Sequence, residues 1–137
     1  MRLAYCTLLG AALACGSATE PNTPFLHFES DVVFGIPTIP ITAKPQPGGI
    51  IISGVFQTLT TGYTLSGALV VLSSRTLRLA VDAHGTDTPF PFPTQNFYRA
   101  QIGDLAPGDY DVSVYHKDRN RPEVPEVRVY HQVVSVP

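Results

Sequence analysis

Residues 98–114 read Tyr-Arg-Ala-Gln-Ile-Gly-Asp-Leu-Ala-Pro-Gly-Asp-Tyr-Asp-Val-Ser-Val, and this stretch decides the fold. Tyr98, Ala100 and Ile102 alternate with Arg99 and Gln101. Tyr110, Val112 and Val114 then alternate with Asp111 and Ser113. Apolar side chains at every second position put one row in a core and the other in water, as in a half-buried β-strand. Between the two runs, Pro107 presets φ for a turn and Gly108 beside it permits positive φ. Two strands and a reversal are expected.

The same period continues outward. Leu26, Phe28, Ser30 and Val32 alternate with His27, Glu29 and Asp31, while Leu77, Leu79, Val81 and Ala83 alternate with Arg78, Ala80 and Asp82. Ile50 to Leu59 and Gly67 to Leu72 are apolar runs closed by Thr60-Thr61-Gly62 and Ser73-Ser74, and a last strand is expected over about Val127 to Val136. Unbroken apolar character over Ile50–Leu59 suits a central strand covered on both faces. Pro37, Pro40, Pro45 and Pro47 make segment 37–49 an edge or a loop, because proline cannot donate to a sheet ladder. Pro89, Pro91 and Pro93 make Thr86 to Asn96 a loop for the same reason. About seven short strands without a helical period outside the N-terminus predict an all-β antiparallel sandwich.

The Leu-x-Pro-Gly turn at 105–108 and the Tyr-x-Val-x-Val strand after it resemble the penultimate hairpin of bacterial immunoglobulin-like, fibronectin-type and carboxypeptidase-regulatory (transthyretin-like) modules. The resemblance implies an immunoglobulin-like fold with a tyrosine corner. Tyr110 would bury its ring and return its hydroxyl to a backbone group just upstream, with Pro107 and Gly108 shaping the turn. It implies no activity, since such folds host unrelated functions.

The N-terminus carries an address. Met1-Arg2 precedes an uncharged apolar run, Leu3 to Leu13, which ends at Ala14-Cys15. A positive start, about 11 apolar residues and small residues at the cut form a signal peptide. A membrane-spanning helix needs about 20. The cysteines are Cys6, inside that leader, and Cys15, so the exported domain has no disulfide to form. Ala11-Ala12-Leu13-Ala14-Cys15 resembles the lipobox of bacterial lipoproteins, in which the cysteine receives a lipid and the leader is cut before it. The family places its leucine one residue earlier. Ala12-x-Ala14 also fits an ordinary signal-peptidase site, which would give a secreted or periplasmic soluble protein. The expected organisation is a signal peptide over 1–14, a lipid-anchored tether over 15–24 and a β-sandwich domain over 25–137. Gly16 after Cys15 implies, through the same resemblance, the outer membrane where the host has one.

Composition narrows the function classes. Hydrophobic residues make up 44% and charged residues 15%, with thirteen prolines and eleven glycines, as in a globular chain rich in reversals. The formal net charge is −2 and the only basic cluster is Lys117, Arg119 and Arg121, so no face is basic enough to neutralise nucleic-acid phosphates. There is no G-x-S-x-G elbow and no phosphate-cradling glycine loop, and Glu123 and Glu126 lie in a proline-broken turn. An enzyme is not expected, nor a cofactor. Tyr115-His116 and Tyr130-His131 offer the neatest metal pairing, but a hairpin closing near 121–122 sets His116 near Val127 and His131 near Val112, too far apart for one ion. Asp104, Asp109 and Asp111 flank the turn without the spacing of a calcium loop.

Phe90 and Phe92 in Pro89–Pro93 suit either an exposed recognition loop or a cap on the open end of the sandwich, with the cap favoured. The expected function is a membrane-anchored interaction or structural module contacting an envelope protein through loops or the open edge of the last strand. The alternative is a glycan- or small-ligand-binding lipoprotein using Tyr63, Tyr115 and Tyr130 in a concave trough.

Overall fold

A computed structural model describes residues 23–33, 39–85 and 92–137. The leader, Cys15 and Phe90 lie outside the described residues. The described chain is all β, with strands β1 (Phe25–Val33), β2 (Thr42–Gln46), β3 (Gly49–Thr58), β4 (Tyr63–Ser73), β5 (Thr76–Gly85), β6 (Thr94–Gly103), β7 (Gly108–Asp118) and β8 (Val127–Val136). They form two four-stranded sheets, ordered β1-β6-β3-β2 and β4-β5-β7-β8, packed face to face. The all-β sandwich expected from the periodicity is observed, with eight strands rather than about seven.

The inner faces supply the core. Ile50, Ile52 and Phe56 of β3 and Tyr98, Ala100 and Ile102 of β6 meet Leu77, Leu79, Val81 and Ala83 of β5 and Tyr110, Val112 and Val114 of β7. All of these are buried, because their strands are the middle two of each sheet. Edge strands are covered less well: on β1, Leu26 and Phe28 are half-buried and Ser30 and Val32 exposed. β3 is a central strand as expected, with Ile50, Ile52, Gly54, Phe56 and Thr58 buried on one side and Ile51, Ser53 and Val55 half-buried on the other.

Three findings correct the sequence reading. The 98–114 stretch is not a hairpin: β6 belongs to one sheet and β7 to the other, so its turn is an arch between layers. Because the chain leaves β5, runs through β6 in the opposite sheet and returns to β7, β5 and β7 pair in parallel. A parallel pair needs such a crossover, here supplied by a strand. The other five pairings are antiparallel.

The third correction concerns Thr94 to Asn96, expected in a loop, which open β6 and pair with Thr58, Gln57 and Phe56 of β3. Buried Asn96 fits there because its Nδ2 donates to the Phe56 carbonyl (3.2 Å) and the Thr58 hydroxyl (3.1 Å). In segment 37–49, residues 42–46 form β2, a five-residue edge strand containing Pro45, which is opposite Ile50 of β3; among the described residues no strand pairs with the other side of β2.

Candidate functional site

The arch between the sheets is held at several points. Asp104 adopts φ 58° and Gly108 φ 132°, the two positive-φ positions that let the chain turn between layers. The Tyr110 ring is buried and its hydroxyl donates to the Ala106 carbonyl at 2.9 Å, the upstream bond of which a tyrosine corner consists. Arg75 covers the corner, donating to the same carbonyl at 3.3 Å with its guanidinium 4.7 Å from the Tyr110 ring centre. The Leu105 amide donates to Gly48, tying the arch to the β2–β3 turn. These contacts fix β7, and with it the position of β8.

β8 is the outer strand of its sheet. Val127, Val129 and Val133 are exposed along it, with Val133 66% accessible. Its registry is set by β7: Tyr110 faces Val134, Ser113 faces His131 and His116 faces Val127, with an irregularity between Val114 and Tyr115. On the outer face, His131 Nε2 and Asp111 Oδ1 lie 2.6 Å apart, and the Ser135 hydroxyl donates to Asp109 at 2.6 Å. Asp109 and Asp111 therefore hold β8 residues and do not converge with Asp104. Lys117, Arg119 and Arg121 each have a partner as well, in the Pro122 carbonyl, Asp82 and Asp118.

The two histidines of the metal hypothesis point to opposite faces. His131 is outward, while His116 turns inward and is stacked on Phe56 (ring centres 4.5 Å apart, planes 18°). The Tyr98 hydroxyl and His116 Nε2 share a 2.9 Å hydrogen bond across the two sheets. Burial lowers His116 from its usual 6.5 to about 4 and raises Tyr98, so both are neutral at pH 7. This bridge was missed in the sequence, although His116 continues the inward row Tyr110, Val112, Val114. Among the described residues, no group of three His, Cys, Asp or Glu could hold a metal ion.

The three tyrosines of the trough hypothesis also divide. Tyr63 and Tyr130 pack on the core, where burial raises both, Tyr63 being raised also by the Asp118 carboxylate. Tyr115 lies on the outer face under Arg78, whose guanidinium sits 4.1 Å from the ring centre and pairs with Glu126. Phe92 is 65% exposed, so the cap favoured for it is not formed by this ring. An apolar hollow of about 270 Å³ lies on the outer face of the first sheet, lined by Val33, Ile39, Val55, Gln95 and Phe97. Val33 and Ile39 flank the undescribed residues 34–38.

Among the described residues no helix is long and apolar enough to cross a membrane. The chain matches no protein-family model, no curated protein and no solved structure.

Proposed function

We propose that this chain is an exported, lipid-anchored envelope protein whose sandwich is a non-enzymatic interaction module, taking up a partner's strand along β8. The observation that carries the reading is the open, valine-lined edge of β8. An unpaired edge presents a row of backbone donors and acceptors, and side chains at alternate positions select the incoming strand. Arg128 on β8 favours a strand bearing carboxylates. The immunoglobulin-like resemblance of 98–114 accords with a rigid scaffold for that edge. The lipobox-like Cys15, followed by the small polar stretch before Phe25, accords with a domain tethered at a membrane surface.

The test is a photoreactive residue at Val133 in the anchored chain, with the same group at Ser30 on β1 as control. The expected result is one envelope protein cross-linked from position 133 and not from 30, with Cys15→Ser abolishing both the adduct and membrane association. Absence of an adduct, or equal adducts from both positions, overturns the β8 reading. A Cys15→Ser chain that still sediments with membranes overturns the anchor.

A further inference from the structure

Each sheet has two edges, and three of the four carry features that discourage pairing with a second copy. β1 bears the carboxylates Glu29 and Asp31. β2 is five residues long and contains Lys44 and Pro45. β8 carries Arg128 and His131, and its ladder is irregular near its start. Charge, proline, shortness and bulges are the devices by which proteins protect sheet edges. β4 has almost none of them: its eleven residues, Tyr63 to Ser73, include no charged residue and no proline. Its ladder with β5 is regular from Tyr63 to Val71 and shifts only after Val71.

The side of the sandwich where β4 lies is also incompletely closed. β1 packs over β4 there, with the Phe28 ring so close to Gly67 that an added Cβ would lie 2.2 Å from it. Val71 is opposite Leu77 in the inward row, yet it is 45% exposed, and Leu72 beside it is 61% exposed. Val32 of β1, opposite Asn96 in its own inward row, is exposed too. Apolar side chains that face inward and remain in water mark a core that ends before its edge strands do.

We infer that β4 pairs antiparallel with β4 of a second copy of this chain, joining two four-stranded sheets into one of eight. Centred on Gly67, the pairing uses every regular residue from Tyr63 to Val71. It sets Leu65 against Leu69 and Tyr63 against Val71 on the inner face, and Ser66 against Ala68 on the outer face. Every cross-strand pair is apolar or small, and none opposes like charges. The contact is isologous, so it closes at two copies and leaves no second β4 edge to extend a fibre. It rests on neither the lipid anchor nor the β8 partner proposed above.

The test is sedimentation equilibrium of the full chain carrying Cys15→Ser, in reducing buffer, so that no lipid contributes and the anchor plays no part. The expected mass is twice that of the chain, and amides of residues 63–71 exchange more slowly as concentration rises. Ala68→Lys, exposed on the outer face of β4, is expected to give a folded monomer with unchanged circular dichroism and no concentration-dependent protection. Should that variant not fold, Ser66→Lys serves in its place, since residue 66 faces Asp82 across β5. Val133→Lys on β8 is expected to leave the dimer intact. A monomer at all concentrations, a folded lysine variant that still dimerises, or open-ended oligomers would each overturn the inference.

Discussion

Tyr110 joins a sequence signal to a single bond. Its ring is buried with Val112 and Val114, and its hydroxyl meets the Ala106 carbonyl four residues back, across a turn that depends on Gly108 at φ 132°. Replacing the hydroxyl by hydrogen keeps the packing and removes one bond, and a net intramolecular hydrogen bond is worth about 1 kcal/mol. Tyr110→Phe is therefore expected to lower the unfolding free energy by about 1 kcal/mol in urea melts, with an unchanged denaturant slope. The residue was legible because a tyrosine two positions after a Pro-Gly turn starts an alternating strand. Arg75 was not legible, since nothing local links it to the Ala106 carbonyl 31 residues further along the chain.

Among the elements, β3 and β6 meet in a tightly packed place at one glycine. Gly54 lies in the buried row of β3 opposite Tyr98, and an added Cβ would lie 2.6 Å from the Tyr98 hydroxyl and 2.8 Å from Ile41 Cγ1. Overpacking of a filled core costs about 1–3 kcal/mol. Gly54→Ala is expected to destabilise by about that amount and to lower the thermal midpoint, because the hydroxyl it displaces also bonds His116. Unchanged melting would show that β6 shifts without penalty. The glycine is visible in the sequence as an interruption of an apolar run. Its reason is not, since Tyr98 sits 44 residues away and only the β3–β6 register brings them together. The end of β7 gives a parallel case. Buried Asp118 accepts from the Asn120 amide and from Arg121 Nε, both at 2.9 Å, and Asn120 in turn accepts from the Gly85 amide at 2.8 Å. The loop after β7 is thereby clasped to the end of β5.

Among the described residues, the core between the layers is built mainly of apolar side chains, and His116 of one sheet meets Tyr98 of the other within it. Burial depresses His116 to about 4, below its usual 6.5, so the unfolded chain takes up this proton first. Its contribution to stability is complete above pH 6.5 and is lost as pH falls toward 4. Between pH 7 and pH 5 the loss is about 2 kcal/mol, at about 1.4 kcal/mol per pH unit. Urea midpoints should fall over that window in the wild-type chain and stay level in His116→Gln, which keeps a polar partner for Tyr98. Equal slopes in the two chains would assign the proton uptake elsewhere. The sequence by itself determined the all-β class, the inward rows of the central strands, the proline-broken character of segment 37–49 and the last strand. Each of these follows from local chemistry: the period-2 burial of a strand and the missing donor of proline. Tertiary structure alone decided that 98–114 is an arch, that β5 and β7 run parallel, and that His116 bridges the sheets while His131 faces outward. It also decided which four strands are edges. Those outcomes depend on which strands become neighbours, and strand order is set by long-range packing of two sheets that no local period encodes.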